Sequence, residues 1–246
     1  MQFKIIGNLE QPKTLLIHAM FFDERCFEKL SEFLKKDYCV IILTLDGHGN
    51  DETIFHSVKE ETDKIIDYLK QNNIQDLELL LGISMGGIIA FELFRRKQIV
   101  IKHVFLDGTP FLEFPKLIRK FAGVIFKKIA HYAKNKSGNN TIIDRKFPQF
   151  ASHIKDVCSR MKDESIKNLA DACYTYKLPE QIELDGETIT FMYGTKEKAR
   201  MCIPKVKRYM NTELIVKEGF SHCQFLSENP QGYAELLYQI SKSHAH

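Results

Sequence analysis

The chain has 246 residues, of which 44% are hydrophobic and 27% are charged. That length and balance are typical of one folded α/β domain with a modest insertion, and they exclude a disordered chain. A formal net charge of +3 is too small to indicate nucleic acid as a partner. The six cysteines form no CxxC pair, so we expect reduced thiols.

The amino-terminal residues 1–7 lack the basic and apolar regions of a signal peptide. No uncharged apolar run approaches the roughly 18 residues that a membrane-spanning helix needs. We therefore expect a cytoplasmic protein without an integral membrane segment.

Short apolar runs alternate with segments of helical period along most of the chain. Strands are predicted at residues 3–6, 14–19, 38–45, 77–82, 101–107, 189–193 and 212–217. Helices are predicted between them, at residues 26–34, 60–71, 87–96 and 233–241. Because most of the strands are apolar on both faces, the pattern favours an α/β fold with a mostly parallel central sheet flanked by helices.

The alternation stops between residues 107 and 189, where helical patterning continues without a convincing strand. We interpret residues 110–187 as a helical cap inserted between two parts of the core, residues 1–109 and 188–246. One cap segment combines apolar and basic residues at helical spacing: Ile118, Phe121, Ala122, Ile125, Ile129 and Tyr132 with Lys116, Arg119, Lys120, Lys127 and Lys128. This segment is either a lid or a contact for a membrane surface or acyl-CoA, or simply a cap helix with a solvated basic face, which we favour.

A serine between two glycines lies where the strand at 77–82 gives way to the helix at 87–96. The Gly-x-Ser-x-Gly motif occupies residues 82–86 and has the strand–turn–helix context that a nucleophile elbow requires. Such a tight turn needs glycine on both sides and presents the Ser84 hydroxyl at a helix amino terminus. Ser84 is the predicted nucleophile, and it requires a base and an orienting carboxylate.

Two loops near the carboxyl terminus supply candidates for these partners. His222 follows the last predicted strand and is the predicted base. Glu197 follows the preceding strand and is the predicted acid, in the chain order serine, acid, histidine. Asp107, at the end of its own strand, remains an alternative acid, and Lys196 and Lys198 also permit a simple surface ion pair with Glu197.

A second turn is expected beside the elbow, where the strand at 14–19 leads into Met20. It would bring a backbone amide close to that of Met85, and two such donors form an oxyanion hole. Losing one donor typically costs about 2.7–4 kcal/mol of transition-state stabilisation. The amides of Met20 and Met85 are the predicted donors, whereas His18 is interpreted as a structural brace of this turn.

Together these motifs resemble the α/β-hydrolase fold family over nearly the whole chain. The similar segments are the oxyanion turn at 16–19, a Gly-His-Gly turn at 47–49, the elbow at 82–87, the acid loop at 194–197, and the histidine loop from His222 to residue 230. The chain departs from the family pattern at Ala19 (usually glycine), Ile83 (frequently histidine) and Glu197 (more often aspartate). These departures remove no reacting group.

The resemblance also implies a substrate class. Similar caps occur in small esterases, thioesterases, carbon–carbon bond hydrolases and lyases, and fold alone does not choose among them. An apolar cap facing Met20, Phe21, Phe22 and Met85 indicates a substrate with an acyl or aromatic part. Phe21 and Phe22 are therefore predicted substrate-binding residues.

We predict a serine hydrolase that cleaves a small-molecule carboxylic ester or thioester through Ser84, Glu197 and His222, with an acyl-enzyme intermediate. No metal ion or organic cofactor is expected, because the sequence shows no cluster with ligand spacing and no phosphate-binding glycine loop. Two alternatives stay open: a carbon–carbon bond hydrolase or lyase using the same residues, and a ligand-binding homologue with negligible turnover. A weak homodimer is also left open.

Overall fold

The computed structural model describes residues 1–135 and 142–242. The strands are β1 (Gln2–Ile6), β2 (Lys13–Ile17), β3 (Cys39–Thr44), β4 (Asp76–Ile83), β5 (Val100–Asp107), β6 (Thr188–Gly194) and β7 (Glu213–Lys217). They form one sheet in the order β1-β3-β2-β4-β5-β6-β7, in which β1 is antiparallel to β3 and every other pair is parallel. The predicted mostly parallel sheet is confirmed, and no predicted strand end differs from the observed one by more than two residues.

Helices cover the sheet and occupy the long connections. They are α1 (Glu28–Leu34), α2 (Val58–Gln71), α3 (Met85–Arg95), α4 (Lys116–Asn135), α5 (Ile142–Lys146), α6 (Ala151–Arg160), α7 (Asp163–Cys173), α8 (Ile203–Val206), α9 (Gln224–Glu228) and α10 (Pro230–Lys242), with 3-10 turns at Glu24–Phe27 and Lys198–Cys202. The helix predicted from residue 26 thus begins as a 3-10 turn. Helix α2 begins two residues before its predicted start because the Ser57 side chain caps it, accepting a hydrogen bond from the Glu60 amide.

The strand order reverses at β2, which pairs with β3 on one side and with β4 on the other. All residues of β3 are buried, as expected for a strand covered on both faces. In open α/β sheets, ligands bind outside the carboxyl ends of the strands at such a reversal. The loops that follow β2 and β4 meet at this position.

The connection between β5 and β6, which we call the β5–β6 segment (residues 108–187), contains the helices α4 to α7 in its described parts, residues 108–135 and 142–187. Helix α4 packs against α6 and α7. Its inner face includes the buried small residues Gly123, Ala130 and Ala133. In the described part of the chain, no helix combines the length and apolar character needed to cross a bilayer.

Candidate active site

Ser84 occupies a strained turn between β4 and α3. Its φ is +54° and its ψ is −115°, a conformation that non-glycine residues rarely adopt. The Ser84 amide donates to the carbonyl oxygen of Asp107 at 2.8 Å, and the Gly87 amide donates to the Ser84 carbonyl at 3.0 Å. The turn is thus fixed to β5 on one side and to the first turn of α3 on the other.

The glycines of the elbow are required by close backbone approach. A Cβ atom on Gly82 would lie 2.6 Å from the Gly86 carbonyl oxygen and 2.6 Å from the Gly87 Cα. A Cβ atom on Gly86 would overlap the carbonyl oxygens of Ile17 and His18. Helix α3 therefore crosses the end of β2 at a distance that a side chain would prevent, which brings the two loops of the site together.

His222 and Glu197 form a hydrogen-bonded pair, with 2.5 Å between His222 Nδ1 and Glu197 Oε2. Because a carboxylate only accepts hydrogen bonds, Nδ1 carries the proton and Nε2 remains available as a base. The second oxygen of Glu197 accepts from the Gly194 amide at 2.6 Å. The Glu197 side chain is 2% exposed, whereas that of His222 is 30% exposed. The buried Glu197 is therefore fixed by the backbone, while the His222 ring remains partly accessible to solvent.

The electrostatics of His222 suit a base. Burial acts to lower the pKa of His222, but its interactions with Cys223 and with the Glu197 carboxylate outweigh burial and raise that pKa above its ordinary value. A carboxylate in this position would stabilise the protonated form of the imidazole.

Asp107, the alternative acid, points to a different partner. Its Oδ2 accepts a hydrogen bond from the Tyr233 hydroxyl at 2.9 Å. Burial and the nearby charge of Glu197 raise the pKa of Asp107 to about 7. His222 Nδ1 donates its hydrogen bond to Glu197 and not to Asp107, so the geometry favours Glu197 as the orienting acid.

Gly108 is a site residue that the sequence interpretation missed. It has a φ of +57°, and a Cβ atom there would lie 2.7 Å from both Glu197 Oε2 and His222 Nδ1. The carbonyl oxygen of the preceding residue, Asp107, accepts from the Ser84 amide, so residues 107 and 108 contact the Ser84 turn on one side and the His222–Glu197 pair on the other. The signal available in the sequence was a glycine directly after a strongly predicted strand. The two residues for which it makes room, Glu197 and His222, are distant in sequence.

The turn after β2 orients the first predicted oxyanion donor. The Phe22 amide donates to the Ala19 carbonyl at 3.1 Å, and Phe21 has a φ of +69°. In such a β-turn the closing hydrogen bond does not use the amide of Met20. Met85 is the first residue of α3, so its amide has no acceptor within the helix. Both amides belong to segments that meet through Gly86.

His18 braces this turn. Its Nε2 accepts a hydrogen bond from the Leu45 amide at 3.0 Å, and its Nδ1 lies 2.8 Å from the Ala19 carbonyl oxygen, to which it donates. The ring is fully buried, and burial lowers the pKa of His18. Neutral His18 therefore links the turn to the end of β3 and has no free nitrogen for catalysis.

Aromatic side chains of the turn contact the β5–β6 segment. The half-buried Phe21 ring meets that of Phe126 edge to face, with 6.1 Å between centroids. Phe22 is buried and packs against Phe147 at 5.8 Å and Phe150 at 5.3 Å. Of the two predicted substrate-binding residues, Phe21 is the more accessible.

A sulfur contact joins the β5–β6 segment to the elbow. Cys173 of α7 is buried, and its Sγ lies 3.4 Å from the Met85 Sδ. No sequence pattern predicts this contact, because a buried cysteine behaves as a small hydrophobic residue. Within residues 1–135 and 142–242, no three His, Cys, Asp or Glu side chains are grouped so as to hold a metal ion.

Comparisons with known proteins agree with this architecture. The model of a family described as the alpha/beta hydrolase family matches residues 14–235. A serine hydrolase-like protein of Mus musculus is 24% identical over 120 residues, which are 44% of this chain and only 36% of that protein. The chain thus spans little more than a third of that relative's length.

Two solved structures are similar over almost their whole length. A protein assigned to the alpha/beta hydrolase family from Desulfitobacterium hafniense has a TM-score of 0.81 at 19% identity, covering 97% of this chain and 99% of its own. A thermophilic esterase from Thermogutta terrifontis has a TM-score of 0.77 at 15% identity, covering 100% and 94% respectively. At these identities the similarity concerns the fold alone.

Proposed function

The chain belongs to the alpha/beta hydrolase family, and on that premise we propose that it is a serine hydrolase acting on carboxylic esters or thioesters with an apolar acyl part. The observation that carries the proposal is the 2.5 Å pair of His222 and Glu197, joined through Gly108 and Asp107 to the strained Ser84 turn. A base held by a buried carboxylate beside a strained serine has the parts needed for nucleophilic catalysis.

In the first half of the proposed reaction, His222 Nε2 takes the Ser84 hydroxyl proton while Oγ attacks the substrate carbonyl carbon. The carbonyl oxygen becomes an oxyanion and accepts hydrogen bonds from the Met20 and Met85 amides. The tetrahedral intermediate then breaks its bond to the leaving alcohol or thiol, which receives the proton from His222. The product of this half is an acyl ester on Ser84.

In the second half, His222 takes a proton from water, and the resulting hydroxide attacks the acyl carbon. The new tetrahedral intermediate expels the Ser84 oxygen, which recovers its proton from His222, and a carboxylic acid is released. Glu197 stays ionised throughout and holds the His222 ring in the tautomer that leaves Nε2 free.

Two observations support an apolar acyl part. The Phe21 and Phe126 rings meet where the turn faces the β5–β6 segment, and the Met85 and Cys173 side chains supply buried sulfur atoms beside the elbow. We propose that residues 110–187 act as a cap over this apolar wall. The esterase and serine hydrolase-like names of the relatives support the same reaction class.

The test is hydrolysis of p-nitrophenyl esters of short, medium and long acyl chains, together with labelling by a fluorophosphonate. The wild-type chain is compared with Ser84→Ala and with Ser159→Ala, a matched control whose hydroxyl lies on the exposed side of α6. We expect wild type and Ser159→Ala to label and turn over, and Ser84→Ala to do neither.

Other outcomes separate the alternatives. Labelling of Ser84 without hydrolysis of any ester or thioester would favour the carbon–carbon bond hydrolase or lyase, which uses the same three side chains. Neither labelling nor turnover, with tight binding of apolar carboxylic acids, would favour the ligand-binding homologue and contradict the proposed reaction.

A further inference from the structure

Helix α4 presents a row of large apolar side chains to solvent. Leu117 is 80% exposed, Phe121 is 67% exposed and Val124 is 49% exposed. Because these residues recur at intervals of four and three, they lie along one side of the helix. Ile118, Ile125 and Tyr132 are also exposed and widen this row, and we call the six residues the outer face of α4. The interpretation of a cap helix with only a solvated basic face is therefore incomplete.

The charges on α4 are all of one sign. The helix contains six lysine and arginine residues and no aspartate or glutamate. Arg119 pairs with Asp171, and Lys127 pairs with Asp163, so these two basic residues are directed towards α7.

Three further lysines are exposed and lie on or beside the outer face. In the described part of the chain, Lys116, Lys120 and Lys128 take part in no ion pair. Lys128 continues the row of Leu117, Phe121 and Val124, and the flexible stem of a lysine can bury its methylenes while its ammonium stays in water. The outer face thus presents exposed apolar side chains, and the three lysines beside it carry positive charges that form no ion pair with any described residue.

We propose that the outer face of α4 binds the surface of an anionic lipid bilayer, with its apolar row at the boundary of headgroups and acyl chains. An amphipathic helix with a basic margin and exposed phenylalanine and leucine has the composition of an interfacial membrane helix. The lysines complement anionic headgroups, and this complementarity selects a lipid surface over a neutral apolar partner.

This orientation would bring the membrane close to the site. The inner side of α4 contacts the oxyanion turn through the Phe126 and Phe21 rings. An apolar substrate dissolved in the bilayer would therefore reach Ser84 by passing beside a helix already seated in the headgroup region. Binding of α4 to lipid does not depend on which reaction Ser84 performs, so the two can be tested separately.

The absence of tryptophan from the sequence makes a sharp test available. A Phe121→Trp variant of the full chain carries one fluorophore on the outer face. Vesicles of phosphatidylcholine, alone or mixed with phosphatidylserine, are titrated in, and brominated lipids serve as quenchers. We expect a blue shift and quenching with the anionic vesicles and a much smaller response with the neutral ones. Cosedimentation of the unmodified chain with the same vesicles provides a readout without substitution.

Two controls sharpen the result. Met210→Trp places the fluorophore at a residue that is 94% exposed and lies outside α4, near the amino end of the edge strand β7. Its emission should not change. In the Phe121→Trp background, Lys120→Gln and Lys128→Gln should each weaken binding about fivefold, whereas Lys4→Gln, an exposed lysine on β1, should not.

Three results would overturn the inference. The first is unchanged emission of Phe121→Trp with anionic vesicles and no cosedimentation of the unmodified chain. The second is an equal response from Met210→Trp. The third is a blue shift that grows with protein concentration in the absence of lipid, which would identify a second copy of the chain as the occupant of the outer face.

Discussion

The backbone amide of Ser84 donates to the carbonyl oxygen of Asp107 at 2.8 Å, which ties the Ser84 turn to the end of β5. The residue after Asp107 is Gly108, which lies against His222 and Glu197. Three strands therefore contribute neighbouring parts of one site: β4 precedes Ser84, β5 ends at Asp107, and β6 leads into the loop of Glu197.

Replacing Glu197 by glutamine should lower kcat by up to about 10⁴-fold, because the amide no longer fixes the tautomer of His222 or stabilises its protonated form. The carboxylate contributes to the raised pKa of His222, so its loss should lower that pKa. Since the base must be unprotonated, the acidic limb of the kcat/KM profile should move to lower pH. Glu218→Gln, an exposed glutamate in the next loop, is the matched control. If the acidic limb of the kcat/KM profile stays at the same pH in Glu197→Gln, Glu197 is not the acid that orients His222.

Replacing Asp107 by asparagine separates the two candidate acids. If Glu197 is the acid, Asp107→Asn should lower kcat/KM by less than about tenfold, because the asparagine oxygen can still accept from Tyr233. A loss as large as that expected for Glu197→Gln would instead identify Asp107 as the orienting acid.

The same variant tests stability against pH. The folded-state pKa of Asp107 is raised from 3.8 to about 7, so ionising it costs stability that increases as pH rises from about 4 to 7 and is constant above. Asparagine has no such cost. Relative to wild type, Asp107→Asn should gain roughly 2–3 kcal/mol in free energy of unfolding between pH 5 and pH 8. Urea unfolding at both pH values measures the difference, and an equal offset at both would contradict the raised pKa.

Gly108→Ala should displace the His222–Glu197 pair. The new methyl would lie 2.7 Å from both Glu197 Oε2 and His222 Nδ1, at a positive φ. We expect a loss of at least about 10²-fold in kcat/KM from displacement of the reacting groups, with about 1–2 kcal/mol of backbone strain.

Gly186→Ala is the matched control for that strain. Gly186 also has a positive φ, +87°, but a Cβ atom there would meet nothing within 4 Å. It should lose similar stability and keep its activity, as measured by thermal unfolding and ester hydrolysis in parallel. Equal activity losses in the two variants would mean that strain, and not contact with the pair, explains Gly108.

His18→Ala should loosen the oxyanion turn, because the variant loses the bonds to the Leu45 amide and the Ala19 carbonyl. A displaced donor is expected to lower kcat by about 10²-fold with a smaller change in KM, and unfolding should become about 1–3 kcal/mol easier. His103→Ala removes another buried histidine, one that bonds Thr188 far from the turn. It should cost stability while kcat stays near wild type. An unchanged kcat in His18→Ala would contradict the proposal that this turn supplies an oxyanion donor.

Ser84 could be predicted from sequence because its constraint is local: Gly82 and Gly86 are needed by a turn only five residues long. The positions of their loops and the chain order predict His222 and Glu197 as its partners, and the structure adds the 2.5 Å contact between the two side chains. Gly108 escaped prediction because the groups it accommodates come from residues 197 and 222. Hydrophobic periodicity reports local structure, so it does not indicate a contact between segments that are distant in sequence.

The pattern of α4 shows a second limit. Spacing identified an amphipathic helix, but periodicity reports which residues share a side and not which side turns inward. Here Gly123, Ala130 and Ala133 face inward, because small residues allow α4 to approach its neighbours closely. The larger Phe121 and Ile125 remain outside.

The close approach of Gly86 to the carbonyl oxygens of Ile17 and His18 has a consequence for how substrate preference could change on this fold. Where backbone touches backbone, there is no side chain to exchange. A change in this contact, which we call the floor of the site, would therefore disturb the Ser84 turn and the turn after β2 together. The side chains that the described part of the β5–β6 segment places against the site, such as Phe126 and Cys173, carry no such restriction; we call these side chains the walls of the site. Laboratory evolution towards new substrates should therefore accumulate its useful mutations in those walls and leave the floor untouched.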